Sequence, residues 1–256
     1  MKKTFKSVYI ALILLFLYAP IAVMIALSFN ASKSRAVWGG FSLTWYAQLF
    51  DSLEIMQALQ VTLTVAVLAT LVATVIGSLG AIGIHAMKTG RANALINLSY
   101  LSMTTPDIAT GVSLMLMFVF MKIPLGWSTM LMAHIAFDTP YVLFSVLPKL
   151  RQMNPSTYEA ALDLGCKPGK ALRKVILPQI MPGIVTGALL SFTMSLDDFV
   201  ISYFTSNTDQ NLSMIVYSAA RRGIEPTIYA RSSLMSLAVL VLLVVINKRS
   251  SLEDVS

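Results

Sequence analysis

The sequence predicts an all-α membrane protein with six transmembrane helices, from its composition, the lengths of its apolar runs and the placement of its basic residues. Of 256 residues, 56% are hydrophobic and 12% are charged, about half the roughly 25% charged content of a soluble domain. At about 20 apolar residues per bilayer crossing, the length allows several spans joined by short loops. A single transmembrane domain over 1–256 is expected, without room for a sizeable second one. One cysteine, Cys166, excludes an intrachain disulfide, and His85 and His134 have no metal-ligand spacing. No metal and no cofactor are expected.

The first apolar run, Val8 to Phe29, follows Lys2, Lys3 and Lys6, with Ala26 and Ser28 imitating a cleavage site. Its 22 residues exceed the roughly 7–15 of a signal-peptide core, which favours an uncleaved first span. Further spans are expected at about 61–87, 95–121, 125–147, 182–204 and 228–246, after the first at about 8–29. With both termini in the cytoplasm, thirteen of the 19 Lys and Arg residues lie in inside segments, leaving Lys33, Arg35, Lys122, Arg221, Arg222 and Arg231 outside. The positive-inside rule favours that orientation. The net charge of +7 is thus a topology signal, and no nucleic-acid partner is implied. The outer stretch 30–60 carries Trp38, Trp45 and Tyr46, which read as an interfacial aromatic belt or a docking surface for an external partner.

The inner stretch 149–180 reads as helix, bend, helix. Asn154 or Ser156 can cap the first helix, Pro155 suits its opening turn, and Glu159 three residues after Ser156 completes a capping-box pattern. Gly165 can end it in a left-handed conformation. Pro168 opens a second helix through Lys174, which Pro178 is expected to end. The nearest thing to a phosphate loop, Gly165 to Ala171, has three residues between its glycines rather than four, and Ala171 where a magnesium-binding hydroxyl belongs. The chain is not expected to bind ATP or to be an enzyme.

Four aspartates fall within the expected spans: Asp107, Asp138, Asp197 and Asp198. Each costs roughly 2.5–3.5 kcal/mol near the bilayer centre on insertion scales, so lipid-facing positions are excluded. A helical rise of about 1.5 Å per residue puts Asp107 and the Asp197–Asp198 pair at a similar depth, with Asp138 nearer the cytoplasm. Pro106 and Pro140 beside two of the acids suggest locally broken helices lining a cavity. With Tyr141 and Phe199, and with Tyr100 and Tyr203 nearby, these carboxylates suit a cation with an aliphatic backbone. Capping or interhelical hydrogen bonding is the other role open to each acid. Consecutive Asp197 and Asp198 point about 100° apart, so one of them faces the pathway.

The inner loop carries a specific spacing: Glu159, Ala160, Ala161, three residues, Gly165, nine residues, Val175, one residue, Leu177, Pro178. It resembles the EAA loop of type I ABC importer permeases, with Val175 where the family usually has Ile. The resemblance implies a MetI-like fold of six helices and a cytoplasmic coupling helix. It also implies that Glu159, Ala160, Ala161, Gly165, Val175, Leu177 and Pro178 couple to a separate ATPase dimer. Ser28, Phe29, Asn30, Trp38, Gly40, Phe41, Trp45, Tyr46, then Thr105, Pro106, Asp107, then Ser191 to Val200 resemble the C-type permeases of spermidine/putrescine importers. Asp138 departs from the apolar or small residue usual there.

The implied machine is a bacterial inner-membrane importer working by alternating access. It pairs this chain with a homologous B-type permease, the ATPase dimer and an extracytoplasmic polyamine-binding protein. An iron complex, aminophosphonate or oxyanion is the alternative solute, and a proton-coupled secondary transporter is the alternative mechanism. No Gly-x-Gly-Asp or His-Glu-x-x-His segment supports an intramembrane protease.

Overall fold

The computed structural model describes residues 2–32, 37–222, 229–230, 232–234 and 237. Those residues are almost entirely helical: α1 Lys2–Ser28, α2 Thr44–Asp51, α3 Leu53–Ala86, α4 Thr89–Thr104, α5 Asp107–Phe120, α6 Trp127–Gln152, α7 Pro155–Asp163, α8 Pro168–Ala171, a π-helical turn Leu172–Ile176, α9 Leu177–Asp197, α10 Val200–Thr205 and α11 Leu212–Arg222. Two compact units are formed, Met1–Gln57 with Ile215–Ser256, and Ala58–Met214.

Four stretches are long and apolar enough to cross a membrane: Phe5–Ser28, Leu53–Ala86, Trp127–Gln152 and Pro168–Asp197. They overlap four of the expected spans, although the last of them begins before 182 and ends at Asp197 rather than 204. The expected third span, 95–121, is broken instead: α4 and α5 meet at 106° across Thr105 and Pro106. Proline has no N–H to donate and biases the residue before it out of the helical region, so the chain must turn there. Counted as one span, the bent pair makes five among the described residues. The expected last span, 228–246, lies largely outside them, as do Lys33, Arg35 and Arg231.

In the first unit, α1 is apolar on all sides and its spanning window is wholly unburied within the chain, as suits a helix surrounded by lipid. The segment after it folds back: Asn30 Oδ1 accepts the backbone N–H groups of Ser32 and Gly39 at 3.2 and 2.8 Å, and Phe29 stacks on Phe41. Gly40 makes the turn at φ +100°, a conformation that costs other residues a Cβ clash. Trp45 is 6% exposed and its indole N–H donates to the Asn30 carbonyl at 2.6 Å. It is therefore an internal strut, neither part of an interfacial belt nor open to an external partner. Tyr46 is likewise engaged, its hydroxyl 2.7 Å from Ser28 Oγ and 2.8 Å from Ser233 Oγ. Trp38, by contrast, is exposed.

The second unit is organised around α6 against α9. The core there joins Ala73, Ala81, Val142, Val146, Leu147 and Ile180. Between apolar helices in lipid, close approach and van der Waals contact replace the hydrophobic drive available in water. Small residues make that approach possible: a Cβ on Gly187 would lie 2.9 Å from Val142 Cα, and one on Gly183 2.8 Å from the Ser145 carbonyl. One turn apart on α9, the two glycines form the seam along which α6 lies.

The inner loop folds as helix, bend, helix, with two changes from the expected detail. Asn154, rather than Ser156, caps α7: its Oδ1 accepts the Ser156 N–H at 3.1 Å. Ser156 thus sits inside the first turn and cannot start the expected Ser156–Glu159 box. The end of α7 is as expected, since Gly165 lies at φ +81°. Cys166 N–H reaches the Ala161 carbonyl at 3.0 Å and Gly165 N–H the Leu162 carbonyl at 2.8 Å, the hydrogen bonds of a Schellman cap. The second change concerns Pro178, which does not end the second helix. Helical structure runs on from Pro168 to Asp197. The widened π turn at Leu172–Ile176 ends two residues before Pro178 and shifts the hydrogen-bond register where that proline cannot donate and its ring would crowd the carbonyl four residues back.

Candidate functional site

Two candidate regions emerge, the inner loop and the acids. On α7, Glu159 and Ala160 are exposed and Ala161 is half-buried. Leu164, at the helix end, is 89% exposed, an uncovered large apolar side chain beside two alanines and a carboxylate. Val175 and Leu177 are half-buried, whereas Pro178 is exposed. Sequence reasoning did not single out Leu164, because a lone leucine carries no spacing signal.

The acids separate into two kinds. Asp107 opens α5 and is exposed, and Asp197 ends α9 and is exposed. Asp198 and Asp138 are enclosed. The Asp198 backbone is extended, which breaks the expected 182–204 span between α9 and α10. Its carboxylate then starts the next helix: Oδ1 accepts the Ile201 N–H at 3.1 Å and Oδ2 the Ser202 N–H at 2.8 Å. These backbone donors would otherwise be orphaned at a helix start within a low-dielectric environment. Asp138 is fully buried, and its Oδ2 accepts the Ser195 hydroxyl at 2.9 Å, joining α6 to α9.

Between these two carboxylates lies His134, to which the sequence assigns no metal-ligand spacing. It is 1% exposed, with Nδ1 2.6 Å from Ser195 Oγ and Nε2 2.9 Å from Ser202 Oγ. Asn211 adds Nδ2 contacts of 2.7 Å to Ser202 Oγ and 2.9 Å to the Asp198 carbonyl. The signal that could have found this cluster is the recurrence of polar residues on α6, His134 and Asp138 at helical spacing, opposite Ser191 and Ser195 on α9.

The two broken spans meet. α5 packs on α10, so closely that a Cβ on Gly111 would lie 3.0 Å from Phe204 Cδ2 and 3.5 Å from Ile201 Cα. The aromatic candidates are arranged along these elements. Tyr141 packs on Phe137 at 5.3 Å, and Phe199 on Tyr203 at 5.5 Å, with Tyr203 exposed. No group of three or more potential metal ligands occurs among the described residues.

Comparison with known proteins places this geometry in a family. Residues 73–248 match the family described as binding-protein-dependent transport system inner membrane component. The chain is 34% identical over 96% of its length to a Haemophilus influenzae protein named spermidine/putrescine transport system permease protein PotC, covering 97% of that protein. It is 38% identical over 88% of its length to the Escherichia coli K12 putrescine transport system permease protein PotI, covering 83% of it. Solved structures share the fold: a bacterial ABC transporter importing alginate gives a TM-score of 0.73 at 18% identity, over 95% of this chain and 92% of that one. The inward-facing methionine ABC transporter MetNI gives 0.63 at 20% identity, over 80% and 99%. An all-helical chain with several membrane-length helices, the EAA spacing on an exposed loop and these matches together make it a permease subunit of an ATP-driven ABC importer, a member of the binding-protein-dependent transport system inner membrane component family.

Proposed function

We propose that this permease carries polyamines, putrescine or spermidine, inward across a bacterial cytoplasmic membrane. The observation that supports this most is full-length similarity to permeases named for those solutes. The acids are consistent with it: Asp107 and Asp197 are exposed on helices of membrane character, where a carboxylate is tolerated only if it faces a polar path or a cation. In this reading they meet the substrate's ammonium groups, Tyr141 and Phe199 meet its methylenes and charge, and Asp198 and Asp138 add negative field while holding helices. The path lies within one transmembrane domain completed by a last span near 228–246.

The remainder of the machine follows from the loop. The exposed α7 with Glu159, Ala160 and Leu164 seats against one protomer of an ATPase dimer in the cytoplasm, so both termini are cytoplasmic. Ala161 and Gly165 allow close contact and the bend, and Val175, Leu177 and Pro178 carry motion into α9. A second, homologous permease and an extracytoplasmic polyamine-binding protein complete the complex, and ATP binding opens the path outward to receive the solute.

The test is uptake of labelled putrescine and spermidine by vesicles containing the assembled complex and loaded binding protein. ATP-dependent accumulation of either, competed by the other diamines and not by oxyanions or iron complexes, is expected. ATP-dependent uptake of an oxyanion with no polyamine uptake would overturn the substrate assignment, and uptake driven by a proton gradient without ATP would overturn the mechanism.

A further inference from the structure

We propose that a groove between α4 and the C-terminal end of α6 binds the headgroup of an anionic phospholipid, phosphatidylglycerol, as a fixed part of the permease. The site is separate from the cation path. It rests on the importer reading only for its place at the inner leaflet, and its binding test does not depend on which solute is carried.

The groove has a volume of about 280 Å³ and is lined by Ile96 of α4 and by Phe144, Leu147, Pro148, Arg151 and Gln152 of α6. Its floor is apolar: Leu147 is buried in the core of this unit, and Ile96 and Phe144 pack against that core. One turn farther along α4, Tyr100 meets the Phe144 ring edge-on at 6.1 Å, which joins the two helices beyond the groove. The volume falls just below the roughly 300–1,000 Å³ of pockets that enclose a drug-sized ligand. It suits a headgroup and its glycerol, with the acyl chains left in the bilayer beside α4, a helix that has no buried residue.

Charge selects the occupant. The helix ends Lys88 to Arg91 and Lys149 to Gln152 carry four basic residues and no acidic one. Lys149 belongs to the other side of α6, since a Cβ on Gly183 of α9 would lie 2.9 Å from its Cγ. Arg151 remains at the groove, exposed, and among the described residues no carboxylate lies within ion-pair distance of it. A guanidinium meets a phosphate with two parallel N–H donors and repels the ammonium group of a polyamine or of phosphatidylethanolamine. Basic pockets between spans on the cytoplasmic side are sites for anionic headgroups. Pro148 supplies the second polar feature. It has no N–H, so α6 offers no donor at the usual place for the Phe144 carbonyl four residues back, and both residues line the groove. An unpaired carbonyl at membrane depth needs a donor, which a glycerol hydroxyl of phosphatidylglycerol provides. Arg151 follows Phe144 by about 10 Å of helix rise, a separation that one extended headgroup spans. A lipid seated here ties α4 to the end of α6 that leads directly into the EAA loop.

Native mass spectrometry of the detergent-purified complex, titrated with phosphatidylglycerol or phosphatidylethanolamine of identical acyl chains, tests this. Wild type should retain phosphatidylglycerol with at least about fivefold higher affinity, and Arg151→Gln should lower that affinity about fivefold, the weight of one basic residue against an anionic headgroup. Ile96→Trp, which fills the groove without changing its charge, should lower it as well. Lys6→Gln, which removes a charge from α1 and not from the groove, should leave it unchanged. Equal retention of the two lipids by wild type would overturn the proposal, and so would equal losses in Arg151→Gln and Lys6→Gln, the mark of diffuse surface charge. Displacement of the lipid by an equal concentration of free glycerol 1-phosphate would make this a site for a soluble anion and overturn the lipid assignment. Loss of the ATPase from Arg151→Gln with lipid affinity intact would assign Arg151 to that partner instead. Should Ile96→Trp fail to assemble, Arg151→Gln, a change at an exposed side chain, decides alone.

Discussion

The Ser202 backbone N–H donates to the Asp198 carboxylate at 2.8 Å, so an acid placed in a membrane span is occupied in starting the helix that follows it. Asp197, its neighbour, is exposed. Adjacent carboxylates therefore carry different duties, and substitution should separate them.

Asp197→Asn and Asp107→Asn should each lower initial uptake per assembled complex about tenfold or more while leaving thermal stability within about 0.5 kcal/mol, because neither carboxylate holds a helix together. Asp198→Ala should instead cost about 1–2 kcal/mol in unfolding of the solubilised complex, the loss of an N-terminal helix cap, with Asp198→Asn recovering part of it. Equal stability losses in all four proteins would contradict this division.

Gly187→Leu should prevent assembly or lower the unfolding temperature sharply. The added atoms would begin 2.9 Å from Val142 Cα, and α6 would have to move off α9, at a cost of about 1–3 kcal/mol or more for overpacking. Gly90→Leu, where a Cβ meets open space, is the control, and equal melting of the two proteins would rule out the glycine seam.

At the inner loop, Gly165→Val should abolish substrate-stimulated ATP hydrolysis without affecting membrane insertion, since a β-branched residue at φ +81° costs about 1–2 kcal/mol and displaces the end of α7. Glu159→Lys and Leu164→Asp should act at the exposed surface, weakening ATPase retention on the purified permease. Full retention in both would remove α7 as the docking element.

Impermeant thiol labelling of intact cells should reach Gln210→Cys and not Cys166. Asn211 is unsuitable for this purpose because it is 2% exposed and hydrogen-bonded to Ser202. Labelling of Cys166 from outside would invert the proposed orientation.

Helical class, the places of four spans and the form of the inner loop were legible in the sequence because each depends on local properties: run length, proline geometry, a glycine free to adopt positive φ. The break at Pro106 was legible for the same reason, although its 106° angle was not, and the break expected beside Pro140 is absent, since α6 runs on through that proline from Trp127 to Gln152. What tertiary structure alone decided is which polar groups are consumed. Trp45 could not be assigned to the interior until Asn30 was folded back beneath it, and His134 appears isolated until α9 brings Ser195 and the break brings Asp198. Sequence records how costly a buried carboxylate or imidazole is, but the partner that offsets the cost comes from another helix. Which donor faces which acceptor is fixed only when the helices have packed.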